Sequence, residues 1–89
     1  MGVSDDFISL LKRVDEGTIR EYIHMVNTSL LAKALKNIEE RDQDKILRNM
    51  PENSAEAIRK MMNEMGTLSN QDIEAARRQI LSLAAQGGI

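Results

Sequence analysis

Residues 45–66 read KILRNMPENSAEAIRKMMNEMG, and this stretch contains the signals that decide the fold. Pro51 lacks an amide hydrogen and restricts the residue before it, so it ends one helix near Asn49 and suits the first turn of the next. Beyond it the apolar residues recur with helical spacing, at Ala55, Ile58, Met62 and Met65. Gly66 then provides a left-handed C-cap. The stretch predicts two helices that meet at a corner.

Residues that start or end helices also divide the rest of the chain, before and after this stretch, into short helical segments. Ser4, Thr18, Asn27 and Ser69 are predicted N-caps, and Thr18 pairs with Glu21 in a capping-box pattern. The apolar spacing between the caps is helical nearly throughout, and no segment alternates with a period of two. The sequence therefore predicts an all-α fold, a compact right-angled or superhelical bundle of about six short helices. A length of 89 residues predicts a single domain over residues 1–89.

The composition favours packing of helices on helices. Hydrophobic residues make up 42% of the chain, but aromatic residues only 2%, namely Phe7 and Tyr22. Leu, Ile, Ala, Val and six Met must therefore fill the core. A β-sandwich would need more β-branched and aromatic side chains.

The charge pattern and the missing residue types exclude several classes of protein. Twelve basic and 14 acidic residues are interspersed, so no basic stripe exists that could bind the phosphates of a nucleic acid. The absence of cysteine excludes disulfides and zinc–thiolate sites. No apolar run reaches the roughly 20 residues of a membrane-spanning helix, and residues 1–6 lack the features of a signal peptide. We expect a cytoplasmic location.

Catalytic and metal-binding patterns are absent from the sequence. His24 is the only histidine, and no cysteine can pair with it as a nucleophile. The acidic turn at residues 39–44 lacks the glycine and the terminal glutamate of a calcium loop. We expect no enzymatic activity, no catalytic residue, no cofactor, no metal site and no small-molecule substrate.

The charged side of the fifth predicted helix is the main candidate for a binding surface. Its members fall on one face of the helix: Glu52, Glu56, Arg59, Lys60 and Asn63. Glu56 and Lys60 have the spacing of a favourable pair four residues apart. Met61 lies at the margin between this face and the apolar stripe. Two interpretations remain open, an ordinary solvated face and a surface that contacts a protein partner.

From Ile19 onward, the chain resembles the C-terminal domain of the FliG family without a gap. The matching segments are Ile19-x-x-x-Ile23-x-x-Val26-Asn27, Leu30-Leu31-Ala32-x-Ala34-Leu35-Lys36, Lys45 to Met50, Ala55-x-x-Ile58, Met65-Gly66, Ile73-Glu74-x-Ala76 and Gly88-Ile89. The most specific block is Lys45 to Met50, an Arg-Asn-Met corner that helical periodicity would not generate. The resemblance implies an armadillo-like, right-handed superhelical bundle of six helices.

The resemblance also implies a function in the flagellar motor. In the family, one helix presents charges to a cytoplasmic loop of the stator protein MotA, and torque passes across that contact. The predicted partner-binding residues are Lys36, Glu52, Glu56, Arg59, Lys60 and Met61. The implied partners are a MotA-like stator protein and other rotor or switch proteins, and self-association is permitted. The implied location is the cytoplasmic side of the inner membrane at the flagellar basal body.

Several positions depart from the family pattern. Asn53 replaces an arginine, Lys60-Met61 replaces an acidic pair, and Ser69 replaces an arginine. One interpretation is a rearranged charged ridge, and another is a diverged paralogue without the motor contact. A third is a helical scaffold like the N-terminal domain of MgtE-type magnesium transporters. That alternative predicts an exposed apolar patch around Met61.

Overall fold

Six α-helices contain most of residues 2–89, the part of the chain that the computed structural model describes. They are α1 (Val3–Arg13), α2 (Glu16–Tyr22), α3 (Thr28–Ala34), α4 (Glu40–Leu47), α5 (Glu52–Glu64) and α6 (Asn70–Gln86). A 3₁₀ turn, Ile23–Met25, continues α2, and the described residues contain no β-strand. The predicted all-α bundle of six helices is confirmed. Met1, which begins the segment tested for a signal peptide, lies outside the described residues.

The signals at several helix ends act as the sequence predicts. The side chain of Asn27 accepts hydrogen bonds from the amides of Ser29 and Leu30 and starts α3. The Ser69 hydroxyl accepts from the amide of Asp72, 3.1 Å away, and starts α6. Gly66 has a φ of 65° directly after the C-cap of α5, a conformation that costs glycine little.

Two helix starts differ from the prediction. The Asp15 carboxylate accepts from the amide of Thr18 at 2.7 Å, so Asp15 is the cap of α2 and the predicted Thr18–Glu21 capping box is wrong. Aspartate caps at least as well as threonine and comes earlier in the chain, so α2 begins three residues sooner. The cap of α1 is Gly2 instead of Ser4, whose hydroxyl bonds to α6.

The core forms around α3, which packs against α5 and α6, while α1 packs against α6 and α4. Its fully buried large side chains are Phe7, Leu35, Leu47 and Ile58. The radius of gyration is 12.0 Å, which equals the value of about 12 Å expected for a compact chain of this length. No helix among the described residues has the length and apolar character needed to cross a membrane.

Methionines fill gaps in this core, as the near-absence of aromatic residues requires. Met62 is buried, and Met50, Met61 and Met65 are partly buried against the core. Met25 is different, because 55% of its surface is exposed at the end of the 3₁₀ turn. Most of these methionines therefore pack in the interior.

Candidate protein-binding surface

The outer side of α5 is exposed along the whole helix. The inner side buries Ala55, Ile58 and Met62, and α5 packs mainly on α3. The exposed residues on the remaining surface are Glu52, Asn53, Glu56, Ala57, Arg59, Lys60, Asn63 and Glu64. The fold thus gathers Glu52, Glu56, Arg59 and Lys60 on one solvent-facing helix.

The ion pairs on α5 differ from the predicted pair. Lys60 Nζ lies 3.9 Å from a carboxylate oxygen of Glu64, one turn towards the C-terminus, and not beside Glu56. Arg59 Nη2 reaches back to α4, where it lies 3.4 Å from Asp44 Oδ1. The predicted Glu56–Lys60 pair is therefore wrong, because the lysine extends in the opposite direction along the helix.

The two acidic residues in the first half of α5 have no such partners. Within residues 2–89, neither Glu52 nor Glu56 forms an ion pair or a side-chain hydrogen bond. Glu52 stands in the first turn, where the helix dipole favours a negative charge. The N-terminal half of the surface therefore carries uncompensated negative charge.

Lys36 lies at the other end of α5, but its ammonium group is already engaged. Its Nζ donates a 2.8 Å hydrogen bond to the backbone carbonyl of Met62 in the last turn of α5. Carbonyls in the last turn of a helix lack helical partners, and a lysine there also interacts favourably with the dipole. Lys36 is half-buried and fixes the end of α5 against α3.

Met61 does not form the apolar patch that the scaffold alternative predicts. Its side chain is partly buried and packs against the core. Among residues 2–89 the exposed large hydrophobic side chain is Met25, which belongs to the 3₁₀ turn. The prediction of an exposed apolar patch around Met61 is therefore wrong.

Arg77 is an interior charge that the sequence reasoning missed. Only 6% of it is exposed, and its guanidinium donates to the Ala34 carbonyl at 2.9 Å, the Lys36 carbonyl at 2.7 Å and the Ser4 hydroxyl at 2.7 Å. The guanidinium also lies 5.7 Å from the centre of the Phe7 ring. Burial lowers the pKa of Arg77 from its usual value, and Glu74 opposes that effect. Arg77 follows the buried Ile73 by four residues and therefore lies on the same face of α6, and this spacing was the signal in the sequence that it could be buried.

The polar residues between Lys45 and Met50 form hydrogen bonds that join α4 to α1 and α2. Lys45 Nζ donates to the carbonyl of Leu11 at 2.7 Å, at the end of α1. Arg48 Nε and Asn49 Nδ2 both donate to Glu16 Oε1, at 2.7 and 3.0 Å. These bonds from Arg48 and then Asn49 lower the pKa of Glu16 to about 2. The sequence identified the block but gave no reason for it.

The described residues offer no polar cavity around His24. His24 is exposed on the 3₁₀ turn. The apolar groove nearby, between α1, α2 and the end of α6, is lined by residues such as Phe7, Leu10, Ile19 and Leu83 but not by His24. Among residues 2–89, no group of three His, Asp or Glu side chains could hold a metal ion.

Comparison with known proteins agrees with this fold. The family model described as FliG C-terminal domain matches residues 6–87. The flagellar motor switch protein FliG of Vibrio cholerae is 34% identical over 74 residues, which cover 83% of this chain and 21% of that protein. The protein of the same name from Borreliella burgdorferi is 30% identical over 83 residues, covering 93% and 23%. The chain spans about a fifth of the length of these relatives.

Proposed function

The chain belongs to the FliG C-terminal domain family, and from this membership we propose that it is a non-enzymatic rotor module of a flagellar motor switch. In this proposal, α5 contacts the cytoplasmic loop of a MotA-like stator protein and transmits torque and changes of direction. The module occupies residues 1–89 and works at the cytoplasmic face of the inner membrane, beside other rotor and switch proteins.

The observation that carries the proposal is the charged outer side of α5. Glu52, Glu56, Arg59 and Lys60 are all exposed there, and among the described residues the ion pair from Arg59 to Asp44 of α4 is the recorded contact of these four side chains with another helix. The inner side of α5 is fixed to the core by the buried side chain of Ile58 and by the hydrogen bond from Lys36 Nζ to the Met62 carbonyl. A rigid helix with mobile charged side chains can transmit a lateral force to the core of the module.

Exposed charges suit a contact that must form and break repeatedly. A surface ion pair contributes only about 0.2–1 kcal/mol, because water and salt screen it and the side chains lose mobility. Complementary charges nevertheless raise the rate of encounter and fix the orientation of the partners. A contact of this kind supports stepping better than a large apolar interface would.

The test is reversal of the two basic residues, Arg59→Glu with Lys60→Glu, in the full protein in a motile host. We expect assembled flagella, slower or absent swimming, and weaker capture of the stator protein. The fold should persist, because the ion pairs of Arg59 and Lys60 are exposed and contribute little to stability.

A matched control reverses Lys12 and Arg13, an adjacent exposed basic pair on α1. This control changes the net charge equally but leaves α5 intact, so we expect normal swimming. If the Arg59 and Lys60 variant swims and captures the stator protein normally, the proposed contact is refuted. Rising salt should weaken the contact, whereas an apolar scaffold contact of the MgtE type would be insensitive to salt.

A further inference from the structure

A polar cleft of about 260 Å³ lies between the first turn of α1, the turn after α3 and the first half of α6. Its polar side chains are those of Ser4, Asn37, Asn70, Glu74 and Arg77. We propose that this cleft binds a small zwitterion, a free α-amino acid, with its carboxylate at Arg77 and its ammonium group at Glu74. The amino acid is a bound ligand and not a substrate, and the site is separate from the outer side of α5.

Arg77 provides a fixed positive charge in the wall of the cleft. Its bonds to two carbonyls and to the Ser4 hydroxyl occupy three of the five N–H groups of the guanidinium. One N–H on each terminal nitrogen has no acceptor among residues 2–89, and a carboxylate is the acceptor that suits such a fork. Because these bonds already hold the side chain in place, a ligand does not need to order it on binding.

Glu74 provides the opposite charge, one turn before Arg77 on α6. It is exposed and forms no ion pair within residues 2–89, so its carboxylate is available to a ligand. A simple anion that approached Arg77 would be repelled by Glu74, whereas a ligand that also carries an ammonium group would be attracted by it. The two charges of the cleft therefore favour a zwitterion over acetate or phosphate.

The remaining wall of the cleft suits the neutral part of an amino acid. The side-chain amides of Asn37 and Asn70 can donate and accept hydrogen bonds, and the Ser4 hydroxyl can donate its own hydrogen while it accepts from Arg77. Ile8 and Ile73 add an apolar surface. The volume lies just below the range of about 300–1,000 Å³ that is typical of pockets for larger ligands. The cleft therefore suits a molecule with the size of a single amino acid.

NMR titration of the full chain, labelled with ¹⁵N, tests the site at constant pH and ionic strength. Three probes share the zwitterion and differ in size: glycine, L-serine and L-glutamine. Acetate, inorganic phosphate and ethylammonium each carry charge of a single sign. We expect at least one amino acid to shift the amide signals of residues 4, 37, 70 and 74–77 saturably, with a dissociation constant of about 1–10 mM. The three ions should bind there about fivefold or more weakly.

Two results of this titration would overturn the proposal. If none of the three amino acids saturates these signals by about 100 mM, the cleft does not hold a zwitterion. If acetate or phosphate binds the same residues as tightly as the best amino acid, the cleft is a site for anions only.

Two variants test the assignment while Arg77, which the fold requires, stays in place. Glu74→Gln removes an exposed carboxylate, so amino acids should bind about fivefold or more weakly and acetate more tightly. Ile8→Phe places a larger side chain in the cleft and should weaken the binding of L-glutamine more than that of glycine. Circular dichroism reports whether each variant is folded.

Glu21→Gln is the matched control, because it removes an exposed carboxylate of α2 that does not line the cleft. We expect it to bind amino acids as the unsubstituted protein does. Equal affinities in Glu74→Gln and Glu21→Gln would contradict the assigned position of the ammonium group and overturn the proposal.

Discussion

Arg77 shows how this fold uses a charged side chain inside an apolar core. Its guanidinium satisfies the carbonyls of Ala34 and Lys36, which lie at the end of α3 where helical partners are missing. The planar fork of five donors on arginine reaches acceptors on two sides of α6 at once, with a wider span than the compact ammonium group of a lysine. The contact with the Phe7 ring adds a favourable surface for the cation. One residue of α6 thus joins α3 and α1.

Replacing Arg77 should therefore destabilise the protein. Arg77→Met leaves two backbone carbonyls without donors, and we expect the free energy of unfolding to fall by about 3 kcal/mol. Urea denaturation followed by circular dichroism measures this change. Arg78→Met is the control, since Arg78 is the exposed neighbour on the same helix and should lose less than about 0.5 kcal/mol. Equal losses in the two variants would contradict the structural role of Arg77.

Lys36 is the candidate partner-binding residue whose geometry argues for an indirect role. Its hydrogen bond to the Met62 carbonyl stabilises the end of α5, so Lys36→Met should lower the free energy of unfolding by about 1–2 kcal/mol. Lys33→Met, an exposed substitution on α3, is the control and should have little effect. Chemical denaturation of the two variants distinguishes them. A stable Lys36→Met variant would mean that the bond is unimportant for the fold.

At the scale of the element, the start of α2 depends on a single carboxylate. Asp15→Ala removes the acceptor for the Thr18 amide, and we expect a measurable fall in the free energy of unfolding. Glu21→Ala is the informative control, because Glu21 would matter only if the capping box with Thr18 existed. Thermal and urea unfolding should show a loss for Asp15→Ala and almost none for Glu21→Ala. A loss for Glu21→Ala and none for Asp15→Ala would support the capping box between Thr18 and Glu21 instead.

The junction of α2 with α4 gives the protein a defined response to acid. Hydrogen bonds from Arg48 and Asn49 hold the pKa of Glu16 at about 2, below its ordinary value of 4.5. A carboxylate with a lowered pKa stabilises the fold above its unfolded pKa, and this stability is lost as the pH falls through the folded pKa. The contribution of Glu16 is therefore present above about pH 4.5 and disappears towards pH 2.

Substitution of Glu16 should flatten this response. In Glu16→Gln the free energy of unfolding should fall less steeply between pH 4.5 and pH 2 than in the unsubstituted protein. A smaller slope remains, because the hydrogen bond from the Thr18 amide also lowers the pKa of Asp15. Glu40→Gln, which removes an exposed carboxylate of α4, is the control for the loss of one negative charge. Urea denaturation at a series of pH values provides the measurement.

At the scale of the whole molecule, stability depends on a core with very few large side chains. Phe7 is fully buried, while Tyr22, the other aromatic residue, is only half-buried. Domains are stable by about 0.05–0.15 kcal/mol per residue, which gives about 4–13 kcal/mol for a chain of this length. A single large cavity can therefore remove most of the stability.

Phe7→Ala tests this dependence. Removing a buried phenylalanine costs about 3–5 kcal/mol, and here it also removes the ring beneath Arg77. We expect a large fall in the melting temperature and partial unfolding at 37 °C, measured by circular dichroism. Phe7→Leu keeps an apolar side chain in the same place and should retain much more stability. An unchanged melting temperature in Phe7→Ala would show that other residues dominate the core.

The sequence could determine the helices because their signals are local. Asn27, Ser69 and Gly66 act through backbone groups within a few residues, so their roles follow from the residue type and the neighbouring pattern. The apolar stripe of α5 likewise follows from a period of 3.6 residues. Errors arose where two good caps compete, as Asp15 and Thr18 do. The sequence also located the candidate surface, since a helical face is defined by spacing.

Only the tertiary structure decided which partners the long charged side chains take. Lys36 reaches Met62, 26 residues away in sequence, and Arg77 reaches Ala34, 43 residues away. Such a side chain can extend in several directions, and the nearest acceptor depends on how the helices pack. Lys60 could likewise extend in either direction along α5, and only the structure shows that it pairs with Glu64. Glu56 is left without a basic partner within residues 2–89. The sequence fixes where the charges lie on α5, and the packing decides which of them remain available to a partner.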